Sequence, residues 1–160
     1  MISKRVIIRQ IVEQLTEQLA TLAGASRAMH ADASDEQNKP EDRYDTRGLE
    51  TAYLASSQAR LATETELALV VYQSLPLEKF QPDTPVALTA LVELECKGSR
   101  MLYFLGPVGG GLEIRHQGTE VLVITPESPL GQQLIGKNIG DRVKIQTRGP
   151  AQEFRVVSVT

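Results

Sequence analysis

The residues of this chain with the clearest chemistry are carboxylates crowded into one short polar stretch. Residues 31–45 read ADASDEQNKPEDRYD, and because Lys39 and Arg43 offset only two of the acids, the local charge is −4. The carboxylates are Asp32, Asp35, Glu36, Glu41, Asp42 and Asp45. Oxygen ligands this close together could assist a hard divalent cation, but a charge run of this kind is also typical of a solvated turn. The elements on either side must decide between these two interpretations.

Other reactive side chains have no companions at useful spacing. His30 and His116 lack a Cys or His at metal-ligand spacing, and both are predicted to be surface or helix-end residues. Cys96 has no basic helix terminus nearby and is predicted to be inert. The glycine-rich run 106–111 lies between two predicted strands, whereas a phosphate loop needs a helix after it, so we expect a hairpin turn.

Composition narrows the class of protein. The 160 residues, 41% hydrophobic and 23% charged, are typical of a folded, water-soluble protein with one domain or two small ones. A net charge of −3 argues against a stand-alone nucleic-acid binder. One cysteine excludes an intramolecular disulfide and a multi-cysteine zinc site. Neither a signal peptide's apolar core nor a membrane span is visible, so we expect a cytoplasmic protein without a membrane partner.

Two helical segments must position the carboxylates. From Ile8 to Met29 apolar residues recur in steps of four and three, with Ser26 in one position, which predicts a helix of about 30 residues. Its seam is Ile8, Val12, Leu15, Leu19, Leu22 and Met29. A second helix is predicted from about Glu41 to Ser74, with a weaker seam at Leu54, Leu61, Ala68 and Leu75. Two such stripes predict an antiparallel coiled-coil hairpin over residues 1–76, with the acidic tip near 31–45.

After the linker 76–85 the pattern changes to strands. They are predicted at 86–94, 100–105, 111–114, 120–124, 142–147 and 153–159. Turns between the first four predict an antiparallel meander, and Ser128-Pro129 predicts the start of a short helix. The predicted fold class is therefore α+β, with a small antiparallel β domain and one short helix over residues 77–160.

A motif in this second domain resembles a known family. The segment 124–143, ITPESPLGQQLIGKNIGDRV, resembles the C-terminal domain of bacterial Gre transcription factors, where a strand leads into Ser-Pro, a short helix, Gly-Lys, Gly-Asp and another strand. The matching residues are Ser128, Pro129, Gly136, Lys137, Gly140 and Asp141. Caps and turns explain each of them without a catalytic role. Gre factors also place a coiled coil of this length before a domain with an FKBP-like fold, so the resemblance extends to the whole chain.

The resemblance implies a regulator of RNA polymerase that is not itself an enzyme. The C-terminal domain would grip the rim of the polymerase secondary channel, and the coiled coil would reach down it. Tip carboxylates would help to hold a second Mg²⁺ in the polymerase active site, where water cleaves backtracked RNA. The proposed tip residues are Asp32, Asp35, Glu36, Glu41 and Asp42, with Arg43, Tyr44 and Asp45 as possible channel contacts.

The same resemblance sets expectations for ligands and partners. RNA polymerase is the expected partner, and nascent RNA is contacted only indirectly within that complex. The isolated protein is expected to hold no stable metal or cofactor, because Mg²⁺ is shared with the polymerase. A monomer is favoured, although the sequence leaves the oligomeric state open.

The tip departs from the cleavage factors of the family. Their tip has the form Asp-x-x-Glu-x-x-x-Tyr-Asp, and Tyr44-Asp45 matches only its end. The Glu position is Pro40 and the Asp position is Gln37, neither of which ligates a cation as a carboxylate does. The same spacing recurs upstream between Asp32 and Asp35, which would need a changed turn to reach the tip.

Three alternatives follow from this departure. The protein could occupy the channel and compete with cleavage factors without promoting cleavage. It could resemble the initiation regulator DksA at its tip, since Pro40-Glu41-Asp42-Arg43 is similar to the Pro-x-Asp-Arg tip of that protein. It could also be a peptidyl-prolyl isomerase with a coiled-coil arm, although the predicted strands offer only Tyr103, Phe104 and Phe154 as aromatic residues for a pocket.

Overall fold

Two long helices precede a six-stranded sheet with one short helix. A computed structural model describes residues 2–33, 46–145 and 151–160. The helices are α1 (Lys4–Ala33), α2 (Thr46–Gln73) and α3 (Pro129–Leu134). The strands are β1 (Leu91–Cys96), β2 (Ser99–Leu105), β3 (Glu113–His116), β4 (Thr119–Ile124), β5 (Arg142–Ile145) and β6 (Gln152–Val159). This arrangement confirms the predicted α+β fold class, and no described helix is long and apolar enough to cross a membrane.

The chain divides into two compact units, and α1 belongs to both. One unit combines residues 1–11 with residues 74–160, and the other is Val12–Gln73. The sequence-based boundary at 76/77 assigned the first eleven residues to the helical part. The compact units group them with the sheet instead.

The seam of α1 shifts along its length. Ile7 and Ile11 are fully buried and Leu15 is nearly so, whereas the predicted seam residues Ile8 and Val12 are only partly buried. The shift coincides with the division between the units: Ile7 and Ile11 fall in the unit with the sheet, and Leu15 falls in the helical unit. Heptad spacing alone cannot reveal that the first turns of a helix face a different partner.

The seam of α2 also differs from its prediction. Leu54 and Leu61 are 48% and 41% exposed, so their assignment to the buried seam is wrong. Among the helix residues whose burial is described, the buried ones are Thr65 and Tyr72. Partly buried residues complete a heptad series with them: Gln58, Ala62 and Leu69. Thr65 tolerates burial because its hydroxyl donates to the Leu61 carbonyl at 2.7 Å.

The sheet has the order β3-β4-β2-β1-β6-β5. Strands β2 and β4 are parallel, and the other neighbouring pairs are antiparallel, so the expected antiparallel meander is wrong at this position. Burial explains why β4, and not β3 as in a meander, lies next to β2. Strand β4 buries Val121, Val123 and Ile124 on its two faces and needs a central position, whereas β3 buries only Ile114 and suits an edge.

Two predicted strands have different bounds. Residues 86–90 form no strand: Thr89 has a left-handed φ of 68°, and the Ala90 N–H donates to the Ala87 carbonyl. The third strand begins at Glu113, two residues later than predicted. Three predicted strands and the short helix are confirmed within one residue; these strands are the ones at 100–105, 120–124 and 153–159. The strand predicted at 142–147 is described through Ile145.

Both faces of the sheet are apolar. Directly paired residues share a face, so Val92, Tyr103 and Leu122 point to one side, where a cluster including Leu134 of α3 is buried. The opposite face carries a second buried set. Its strand members are Leu91, Phe104, Ile114, Val121 and Val123.

The start of α1 covers this second face. Three buried apolar residues described in this unit belong neither to those strand residues nor to the cluster that includes Leu134. They are Ile2, Ile7 and Ile11. Gln10 Nε2 donates to the Arg115 carbonyl of β3 at 3.3 Å, which ties the helix to the sheet edge.

A lysine near the start of α1 adds a second attachment. Lys4 Nζ donates to the Glu78 carbonyl and lies 4.6 Å from the centre of the Phe80 ring. Partial burial lowers the pKa of Lys4, and the nearby Glu78 carboxylate opposes that shift. The first turn of the helix is therefore held by polar as well as apolar contacts.

Replacing Ile7 with alanine tests this anchoring. Because Ile7 is fully buried, we expect Ile7→Ala to lower the free energy of unfolding of the sheet unit by about 2–5 kcal/mol. Urea unfolding followed by far-UV circular dichroism measures the change. Arg5→Ala, at an exposed position in the same turn, is the matched control and should stay within about 0.5 kcal/mol of the parent chain. Equal stabilities of the two variants would contradict the anchoring.

Candidate functional site

The acidic tip lies between the ends of the two long helices. Asp32 is in the last turn of α1, which ends at Ala33, and α2 begins at Thr46. The other proposed tip residues lie outside the described residues: Asp35, Glu36, Glu41, Asp42, Arg43, Tyr44 and Asp45. Their assignment to the tip therefore follows from chain connectivity, and which carboxylates cluster in space stays a prediction.

Within the described ranges, no three His, Cys, Asp or Glu side chains are grouped so that they could hold a metal ion. His116 and Cys96 are among the residues searched. The Cys96 thiol is buried, and its sulfur lies 4.0 Å from the Gln152 amide oxygen. Cys96 is thus a core residue of the sheet.

The Ser-Pro motif builds the start of α3. Ser128 is the N-cap: its hydroxyl accepts from the Gly131 N–H at 3.0 Å and donates to the Thr125 carbonyl at 2.7 Å. Pro129 follows at the first helical position, where its missing N–H costs nothing. These contacts confirm the predicted cap and join the helix to the end of β4.

Gly131 is a tight packing position that the sequence analysis missed. A Cβ added to Gly131 would lie 1.9 Å from the Thr125 carbonyl oxygen, far inside van der Waals contact. The signal was available, because glycine is costly inside a helix and its presence just after Ser-Pro indicates a close backbone approach.

The second half of the motif connects three parts of the unit. Gly136 has a φ of 79°, and its N–H donates to the Val86 carbonyl, while the Val86 N–H donates to the Lys137 carbonyl, both at 2.8 Å. The Gly140 N–H donates to the Val156 carbonyl of β6 at 2.8 Å. Asp141 Oδ2 accepts from the Asn138 N–H at 2.8 Å and closes the turn. The motif residues are therefore structural connectors.

Three apolar side chains are exposed on the connector, which we define as residues 128–141, and on the segment 86–90 that hydrogen-bonds to it. Ile135 and Ile139 are 45% and 41% exposed, and Leu88 is 39% exposed on the segment that the connector hydrogen-bonds. We call Leu88, Ile135 and Ile139 the connector patch. Tight turns give these residues fixed positions without burying them.

A separate open pocket of about 810 Å³ lies among β1, β2, β3 and β4. Arg100 and Arg115 line it, and each pairs with a glutamate of a neighbouring strand. Among the described lining residues the one aromatic side chain is Tyr103, whose pKa is raised by burial and by the nearby Cys96. The pocket therefore combines paired charges with one aromatic side chain.

The sheet and the connector correspond to a known domain family. The sequence model of the family described as "Transcription elongation factor, GreA/GreB, C-term" matches residues 91–160, which run from β1 through β6. Residues 91–160 are therefore similar to the C-terminal domain of GreA/GreB factors. The resemblance of the Ser-Pro and Gly-Asp motif is thereby confirmed over the whole sheet.

Other proteins similar to this chain carry related names. It is 43% identical to transcription elongation factor GreA of Thermotoga neapolitana over 37 residues, which is 23% of this chain and spans about a quarter (24%) of that relative. The crystal structure of Thermus aquaticus Gfh1 is similar at 23% identity, with 92% of each chain covered and a TM-score of 0.40. A GreA/GreB factor from Nitrosomonas europaea is similar at 20% identity and a TM-score of 0.38, covering 60% of this chain and 78% of that one.

Gly131→Ala tests the close approach in the GreA/GreB domain. The added methyl group meets a backbone carbonyl that cannot move away freely, so we expect a loss of about 3 kcal/mol in the free energy of unfolding. Gly24→Ala is the control, because nothing lies within 4 Å of the Cβ position and alanine should stabilise that helix by about 0.5–1 kcal/mol. Thermal unfolding measures the stability of both variants. A Gly131→Ala variant that melted at or above the temperature of the parent chain would contradict this account.

Proposed function

We propose that this chain is a transcription elongation factor that binds RNA polymerase at the secondary channel. The observation that carries the proposal is a GreA/GreB domain preceded by two long helices of 30 and 28 residues. At 1.5 Å per residue each helix is about 40–45 Å long, enough to carry a tip deep into a channel while the domain stays outside. In this proposal residues 91–160 would dock on the polymerase, and the residues between the two helices would enter the channel.

The proposed role of the tip is to stimulate cleavage of backtracked RNA by the polymerase. Asp32, Asp35, Glu36, Glu41 and Asp42 would supply oxygen ligands to a Mg²⁺ ion shared with the polymerase active site. A second divalent ion lowers the pKa of bound water and stabilises charge on the attacked phosphate. The chain itself is then a regulator, because the reacting groups belong to the polymerase.

A channel occupant that does not stimulate cleavage is the second candidate. Gln37 and Pro40 stand where cleavage factors of the family have Asp and Glu, and neither side chain carries a negative charge. Without both carboxylates the tip binds a divalent ion weakly. Such a protein would exclude cleavage factors or change initiation by occupying the same channel.

The connector patch is our candidate for the surface that grips the polymerase. It is apolar and exposed, and two backbone hydrogen bonds hold it in place: the Gly136 N–H donates to the Val86 carbonyl, and the Val86 N–H donates to the Lys137 carbonyl. Exposed apolar groups on a rigid support favour a protein interface, since little side-chain entropy is lost on binding.

RNA cleavage by a stalled, backtracked polymerase distinguishes the two candidates. With this protein present at fixed Mg²⁺, we expect faster cleavage, and alanine at Asp32, Asp35, Glu36, Glu41 and Asp42 should reduce the stimulation at least tenfold. Alanine at Glu17, Glu50 and Glu66, which are exposed on the helices, controls for lost charge and should leave cleavage unchanged. Absence of stimulation, together with inhibition of an added cleavage factor, would favour the second candidate. Full stimulation by the five-alanine variant would contradict the role of the tip.

Introducing a charge in the connector patch tests the docking surface. Ile139→Asp should weaken binding to RNA polymerase about tenfold or more, because an aspartate buried at an apolar interface loses its hydration. Circular dichroism should be unchanged, since Ile139 is 41% exposed in the free protein. Ser99→Asp, exposed at the β1–β2 hairpin, is the control, and equal affinity of the two variants would exclude the patch.

A further inference from the structure

Helix α2 has a second heptad series, on the side opposite its buried residues. Its members follow one another in steps of four and three along the described helix. They are Leu49, Tyr53, Ser56, Arg60, Thr63, Leu67 and Val70, which we call the outer seam. The four apolar members are 76%, 78%, 63% and 61% exposed in chain order. Residues at this spacing form one continuous stripe along a helix, as in the contact seam of a coiled coil.

We propose that the outer seam pairs two copies of this chain as antiparallel helices. The composition of the stripe favours a second copy over an unrelated partner, because the stripe is complementary to itself. Apolar residues occupy both ends, and small or polar residues occupy the middle. A two-fold axis near the middle therefore brings the apolar end of one helix to the apolar end of the other.

Side-chain size specifies the register. In an antiparallel coiled coil, each heptad a position of one helix lies beside a d position of the other. Tyr53 therefore lies beside Val70 of the second copy, and Ser56 lies beside its Leu67. Each pairing occurs twice because of the two-fold axis. A small residue faces a large one at the Ser56 layer, which is the condition for close packing of neighbouring helices.

Charge selects the antiparallel direction. In a parallel pair in register, Arg60 faces Arg60 of the second copy, and like charges across a seam are repulsive. In the antiparallel pair, Arg60 lies beside Thr63 and Glu64 of the second copy. Within one chain Arg60 and Glu64 form a 3.7 Å ion pair with side chains that are 81% and 61% exposed, so the same two groups are available to pair between copies.

The association is expected to be weak and reversible. The seam from Leu49 to Val70 is about 33 Å long, and a single helix pair of this length falls at the low end of interface sizes. We expect a dissociation constant on the order of 10 µM. The dimer departs from the monomer favoured by the sequence.

Sedimentation equilibrium of the full chain over a concentration series tests the association. The parent chain should pass from monomer to dimer, and Leu67→Glu should raise the dissociation constant at least tenfold. Ala55→Glu adds the same charge to an exposed position of α2 outside the outer seam and should leave the constant unchanged. A parent chain that stays monomeric to millimolar concentration would overturn the proposal, as would equal constants for the two variants.

Disulfide formation tests the register and direction independently. In a Cys96→Ala background, a mixture of chains carrying Ser56→Cys and chains carrying Leu67→Cys should form the mixed disulfide under mild oxidation, since the paired Cα atoms should fall within about 7 Å. Ser56→Cys chains alone should form none. Covalent dimers of Ser56→Cys alone would indicate a parallel pair and overturn the proposal. RNA cleavage by the same variants is measured separately, so failure of the dimer and failure of the proposed function are distinguishable.

Discussion

A six-stranded sheet with apolar side chains on both faces needs a cover on each face, and this requirement organises the molecule. The short helix α3 contributes Leu134 to one cluster. The other face takes its cover from the beginning of the chain, where Ile7 and Ile11 are fully buried. Burying two such side chains contributes about 3–6 kcal/mol, comparable with the net stability of a small domain. The sheet therefore depends on residues that are far away in sequence.

This dependence gives α1 two roles along one continuous helix. Its first two turns complete the core of the sheet unit, and the residues from Val12 onward belong to the helical unit. A helix that is part of a core cannot be removed without exposing that core.

The residues of this protein that could assist chemistry are different from the residues that shape its C-terminal domain. The carboxylates that could assist a metal ion lie in the sequence between α1 and α2, whereas the motif that resembles the GreA/GreB domain consists of caps, tight turns and backbone hydrogen bonds. Ser128, Gly131 and Asp141 shape the connector without reacting with anything. The similarity of residues 91–160 to the GreA/GreB domain is therefore carried by residues that reveal nothing about activity.

The sequence by itself determined the elements whose signals are local. The long helix α1, the start of α3 at Ser128-Pro129 and the acidic stretch follow from heptad spacing, capping chemistry and composition, which need no knowledge of distant residues. Tertiary structure decided the rest. Strand β4 took the position next to β2 because it buries residues on both faces, and Thr65 and Tyr72 displaced Leu54 and Leu61 from the buried seam of α2. Periodicity shows that a helix has an apolar stripe, but only packing against particular neighbours determines which stripe is buried and which stays exposed.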